Sequence, residues 1–161
     1  MHAFARIAVV VLCALSFAAV TGAASFAADE PANIIKYRRN VMKAIGANIA
    51  NIAMVVKGEV TYSANVPFNA RSIRDALNLV DPLFPPGTDT GDTNALPKIW
   101  EDAAGFNDVH DKAQAAADAM VQAAESGDAA NIAAALGDLG KACGNCHKPY
   151  RVDSSSAAWR P

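Results

Sequence analysis

Cys143-Gly144-Asn145-Cys146-His147-Lys148-Pro149-Tyr150-Arg151 is the stretch on which the reading of this chain turns. Two thiols three positions apart, with an imidazole directly after the second, form the pattern of covalent c-type haem attachment. On a helix, Cys143 and Cys146 stand one turn apart on one side, so each can form a thioether with one haem vinyl group. His147, four residues after Cys143, comes off that same side and can bind the iron as a proximal ligand. Three residues would then fix the macrocycle and one axial bond.

Other chemistries fit the pentapeptide less well. A thioredoxin-like redox pair expects a βαβ setting, and the chain has no alternating β-branched run of useful length. A structural zinc site needs four ligands, and Cys13, His2 and His110 form no second knuckle. A haem-free thiol oxidoreductase using Cys143 and Cys146 remains as a remote alternative.

Outward from this stretch the chain reads as helices, with a helical period recurring four times. The last segment begins after Asp128, a capping residue, and carries Ile132, Leu136, Leu139, Cys143, Cys146, His147 and Tyr150 on one side. Gly137, Gly140 and Gly144 each cost about 1 kcal/mol of helix propensity relative to Ala, which close approach of the backbone to a porphyrin would offset. Pro149 is expected to kink or end the helix just after His147.

The first helix is expected from Pro31–Asn33 to Gly58, with Ile35, Met42, Ile49 and Val56 at seven-residue spacing and Ile45 and Ile52 interleaved, the pattern of a bundle seam. Carrying the second series back seven residues lands on Arg38. A buried guanidinium there would need an anionic partner such as a haem propionate; at an exposed helix end it would merely snorkel. A second helix is expected over 70–80, ended by Asp81-Pro82. The polar run from Phe84 to Asn94 is long for a compact domain and could cover the haem edge with Asp92 and Thr93, or simply cross over. A third helix is expected from Pro97 to Ser126, stopping at Gly127. His110 falls on its seam, as an interior histidine or as a second axial ligand.

Met1 to about Ala27 reads as a secretory signal peptide: a weakly basic start, an apolar core over 7–20, and Ser25-Phe26-Ala27 at the cleavage site. The apolar run falls short of the ~20 residues of a spanning helix, so no membrane association is expected after cleavage. Cys13 would leave with this segment. Residues 28–161 then form one domain of 134 residues. The 161-residue chain carries 14 basic and 16 acidic residues, a balance without the basic stripe that nucleic-acid binding requires. Export and covalent haem agree with each other and point to a bacterial periplasm.

With these residues in place, the mature chain resembles the class II cytochromes c, the cytochrome c' group. The haem motif lies near the C-terminus with Arg151 four residues after His147. The first helix carries Lys36-Tyr37-Arg38-Arg39 with Met42 beyond it, and Gly87-Thr88-Asp89-Thr90-Gly91-Asp92 leads into Pro97-Lys98-Ile99-Trp100. The resemblance implies an all-α, antiparallel up-down-up-down four-helix bundle with one covalently attached haem c. It implies that Cys143 and Cys146 hold the haem, with His147 as proximal ligand. Arg38, Arg39 and Asp92 would contact the propionate edge, and Arg151 would pack near the proximal face. Met42 matches the distal position: in high-spin members that residue only blocks the face, whereas in low-spin relatives a methionine there binds the iron. The resemblance also implies a homodimer through the first two helices, although the sequence presents no clear apolar patch there.

The primary expectation is a periplasmic monohaem electron carrier working with redox partner proteins. The alternative is a five-coordinate protein that binds nitric oxide or carbon monoxide, with Met42 as gate. No Ser, His and Asp set and no paired carboxylates in a seam suggest an enzyme.

Overall fold

A computed structural model describes residues 29–152. The signal peptide, Cys13 and the tail from Ser154 lie outside the described residues. Five helices follow one another: α1 (Pro31–Val56), α2 (Val66–Leu77), α3 (Lys98–Glu101), α4 (Ala103–Ser126) and α5 (Ala129–Tyr150). α3 is a single turn leading into α4. The four long helices pack as a ring, each against the next, with α1 closing on α5, so the up-down-up-down four-helix bundle is the observed fold. Among the described residues the one sheet-like contact is an isolated antiparallel bridge between Ala95 and Arg151.

Local chemistry sets the helix ends. α1 opens on Pro31, whose missing N–H would have had no intrahelical partner. α1 and α4 are followed by Gly58 and Gly127 with φ of 72° and 70°, the left-handed conformation that glycine adopts without strain. Asp128 caps α5 by accepting from the Asn131 amide at 2.8 Å.

The predicted boundaries differ in three places. α2 runs from Val66 to Leu77 instead of 70–80, because Pro67 is tolerated in its first turn and its exit tightens into Leu79 N–H···Ala76 and Val80 N–H···Leu77 bonds ahead of Pro82. The expected third helix is broken at Asp102 (φ −125°, ψ 55°), which leaves the helical region to accept from the Gly105 amide and so starts α4 afresh. α5 continues through Pro149 to Tyr150, with the Arg151 amide still donating to the His147 carbonyl at 3.0 Å.

The main core gathers Ile45, Ile52, Ile73, Leu77, Met120 and Leu139 between the long helices. A separate cluster of Ile99, Phe106 and Tyr150, with Phe84 and Trp100 against it, builds one side of a cleft. His110 is buried on α4, its Nε2 at 3.1 Å from the Leu77 carbonyl. Its Nδ1 lies 2.7 Å from Asp81 Oδ1 without forming a hydrogen bond to it. It is not among the residues lining the cleft and ties α4 to the end of α2, as the first of the two readings of its seam position, an interior histidine, expects.

Candidate functional site

One cleft brings together residues that are more than a hundred positions apart in the chain. α5 contributes Cys146, His147 and Tyr150, α1 contributes Arg38, Arg39, Met42 and Lys43, and Val80, Phe84, Ile99 and Phe106 supply apolar wall. Open solvent at its mouth included, the space between these residues is about 900 Å³. Thr93 lines it; Asp92 does not, being exposed and paired instead with Arg39. Arg38, Arg39, Lys43 and Arg151 all line the cleft, and no carboxylate does. That is the electrostatic setting for a ligand that is apolar over most of its area and carries acid groups at one edge.

Arg38 is 4 % exposed, so the seam position is truly interior and the snorkelling alternative does not hold. Its guanidinium donates to Leu83 O at 3.1 Å, Thr88 Oγ1 at 3.2 Å, Thr88 O at 3.1 Å and Thr93 Oγ1 at 2.7 Å, and it sits 4.5 Å from the Phe84 ring centroid. Burial lowers its pKa, but an Arg keeps its charge. These acceptors are neutral, so within the protein Arg38 is a clamp on the loop over 83–93. Trp100 clamps the same loop by donating to Phe84 O at 3.0 Å. Replacing Arg38 by Leu strands the Leu83 and Thr88 carbonyls. The expected result is a loss of about 2–4 kcal/mol in urea unfolding, read as a lower midpoint at unchanged slope.

The motif residues are half-buried on α5. Burial pushes the Cys143 thiol up, and burial together with its neighbour Cys143 pushes Cys146 up to about 11. Reactive thiols are displaced the other way, toward the thiolate. Burial, assisted by the Arg151 charge, lowers the pKa of His147, which favours the neutral imidazole that can donate a lone pair to a metal. Gly137, Gly140 and Gly144 have no protein atoms within 4 Å of where a Cβ would stand, so protein packing does not require glycine there.

Sequence reasoning missed the anchor at the end of α5. Tyr150 O–H donates to Asp102 Oδ2 at 2.7 Å, while Asp102 Oδ1 accepts from the Gly105 amide at 3.2 Å. A Cβ on Gly105 would lie 2.5 Å from Asp102 Oδ2 and 2.6 Å from the Tyr150 hydroxyl, so only glycine fits undisturbed. An Asp three residues ahead of a helical amide is a cap signal, and it was available in the sequence. The Tyr150 bond, then the Gly105 amide, hold the Asp102 pKa below its ordinary 3.8. The same bond, with burial, pushes the Tyr150 phenol up to about 12 from 10.0. A lowered carboxyl contributes stability above its ordinary value and loses it as pH falls through the lowered one. A raised phenol contributes below pH 10 and loses it as pH rises toward 12. Melting temperature against pH should therefore separate wild type from Asp102→Ala most widely between about pH 5 and 10, with the two curves converging on either side.

The cleft fits a haem in its apolar wall, its cationic residues without a carboxylate among them, and its soft sulfur and imidazole donors. Comparison with known proteins agrees. A sequence model of the family described as Cytochrome C' matches residues 33–151. Cytochrome c' of Rubrivivax gelatinosus is 36% identical over 126 residues, covering 76% of this chain and 97% of the relative. A solved nitric oxide complex of a variant cytochrome c prime from Alcaligenes xylosoxidans superposes with a TM-score of 0.72 at 32% identity, over 77% of this chain and 97% of that one. A carbon monoxide-bound variant from the same organism gives the same TM-score and identity, over 77% of this chain and 98% of that one. The chain belongs to the cytochrome c' family and binds haem c covalently.

Proposed function

We propose that the protein binds a small diatomic gas, nitric oxide or carbon monoxide, in the cleft beside Met42, with Cys143 and Cys146 holding the haem and His147 as its proximal ligand. When bound, the haem supplies an iron atom that can take a gas ligand and change oxidation state by one electron. The observation that carries the reading is the make-up of the cleft wall: α5 brings His147 to it, α1 brings Met42, and no second histidine lines it. The solved relatives named above carry nitric oxide and carbon monoxide, which supports gas binding over electron carrying as the primary role.

Each remaining task falls to a residue of this chain. His147, neutral through burial, presents its ring to the cleft. Met42, half-buried and packed against the main core, limits the space beside it. Val80, Phe84, Ile99 and Phe106 exclude water. Arg38, Arg39 and Arg151 would receive the haem carboxylates, with Asp92 orienting Arg39.

A second reading rests on Met42 itself. Its thioether is a soft donor on the cleft wall, and as a second axial ligand it would make the protein a six-coordinate electron carrier serving redox partner proteins. Adding carbon monoxide to the ferrous protein separates the two. The first reading expects ready binding, seen as a sharp change in the absorption spectrum. Refusal of the gas, with a sulfur-to-iron band in the ferric protein, would establish the second.

The same proposal places the protein in a bacterial periplasm after loss of residues 1–27. Among the described residues no helix is long and apolar enough to cross a membrane. It also includes a homodimer through α1 and α2. Supporting an apolar contact there, Tyr62 and Phe68 are each 66 % exposed and Met54 is exposed beside Tyr62. We assign the protein a binding role and no catalytic one.

A further inference from the structure

The last turn of α5 is a weak piece of helix in the place where precision matters most. Pro149 has no N–H, so the Asn145 carbonyl receives no bond from the residue four positions on. Cys146 and His147 lie between those two residues. Gly140 and Gly144 weaken the helix further upstream. Something outside the helix has to hold this turn.

The structure supplies it through Tyr150. The residue is 5 % exposed, lines the same cleft as His147, and stands three residues beyond it, on the same helical face. Its ring meets Phe106 edge to face at 5.4 Å, and its carbonyl accepts from the Leu96 amide at 3.0 Å. Its hydroxyl bonds the carboxylate of Asp102, which at the same time caps α4. Val152 N–H donates to Asn94 O at 2.8 Å, closing the short antiparallel contact just beyond. The end of α5 is thereby pinned to the start of α4 and to the segment ahead of α3. Gly105 is the residue that lets the hydroxyl and the carboxylate come this close.

We propose that Tyr150, through its hydrogen bond to Asp102, is a positioning residue for His147: it fixes the tilt of the last turn of α5 and hence the direction in which the imidazole faces the cleft. The proposal rests on the reading of His147 as proximal iron ligand. A purely structural tie would set how stable the turn is. A positioning tie also sets the strain on any bond His147 makes, because the ring moves with its helix and makes no hydrogen bond among the described residues.

The test uses the holoprotein and its Tyr150→Phe, Asp102→Ala and doubly substituted variants. The primary readout is the iron–histidine stretching band of the ferrous protein in resonance Raman spectra; amide exchange at Arg151 is the second. Tyr150→Phe keeps the ring and its packing, so it folds and carries the test even if Asp102→Ala, which also uncaps α4, does not. The expected result is a shifted and broadened band in Tyr150→Phe, with faster exchange of the Arg151 amide. The double variant should shift the band no further than the larger single shift, since both changes remove one bond. Gly105→Ala, which forces the hydroxyl and carboxylate apart without altering either, should shift the band in the same direction. A band unchanged in position and width in Tyr150→Phe, whatever happens to melting temperature, overturns the positioning role and leaves His147 as ligand. A wild-type ferrous protein that takes up carbon monoxide readily yet shows no such band overturns the ligand reading, and the positioning role with it.

Discussion

Replacing both Cys143 and Cys146 by Ser leaves a chain from which organic extraction under acid conditions removes all the haem, whereas the wild-type chain keeps its haem through the same treatment. The reasoning runs from spacing to bond. The two residues sit one turn apart on α5, half-buried, with protonated thiols at neutral pH, and each would supply one thioether. Single variants retain one bond each and should keep covalent haem in reduced amount; the double variant falls to none. The apolar cleft remains, so some haem can still associate reversibly with the double variant, and the contrast lies in extraction, not in colour. Covalent haem surviving in the double variant would show that attachment lies elsewhere in the chain.

The second large effect belongs to Met42. Truncating Met42 to Ala widens the cleft that His147 also lines while leaving the residues around it in place. A mismatch of a single methylene in an apolar pocket is worth about 1–3 kcal/mol, and Met to Ala removes more than one heavy atom. Carbon monoxide affinity of the ferrous protein is therefore expected to rise at least about tenfold, a change of about 1.4 kcal/mol. The spectrum without gas should hardly change, because Met42 acts by occupying space. Stability should fall by about 2 kcal/mol, at the low end for Met to Ala, since the side chain is only partly buried. If Met42 instead binds the iron, the gas-free spectrum of Met42→Ala changes sharply, and the electron-carrier reading takes over. Affinity and gas-free spectrum both unchanged would mean that Met42 is neither gate nor ligand.

How much of this the sequence contained depends on how local the determining interactions are. The seam of α1 could be read because it repeats within one helix: Arg38, Ile45 and Ile52 share a face and are all buried. That same reading put a charge on the seam and left two outcomes open, an anionic partner if buried and snorkelling if exposed. The groups that Arg38 meets within the protein lie 45 to 55 residues away, on an irregular loop. No periodicity encodes such a loop, so the clamp was invisible and only the need for one was legible. The break at Asp102 was hidden for a different reason. The apolar repeat from Ile99 to Phe106 continues across it, and the deciding bonds come from the Gly105 amide and from Tyr150, 48 positions downstream. Pro149 misled in the opposite sense. Its effect on α5 alone is to end the helix, and contacts from Leu96, Asn94 and Asp102 carry the chain on to Tyr150.

The candidate site divides along the same line. Cys143, Cys146 and His147 are contiguous, and their chemistry follows from their spacing. Met42, Arg39 and Arg151 came through family resemblance, and the structure brings all three to one cleft with His147. Asp92, expected at the propionate edge, does not line the cleft and pairs with Arg39, which does. The exposed aromatics Tyr62 and Phe68 were passed over because a single sequence gives apolar residues but not their exposure.

The account stands on haem being bonded to the last helix through two particular sulfurs. Mass spectrometry of the exported protein under denaturing conditions, followed by peptide mapping, measures this directly. The expected result is a chain heavier by one haem, with the added mass on the peptide that contains both Cys143 and Cys146 and neither thiol open to alkylation. An unmodified chain in which both cysteines alkylate freely would contradict it.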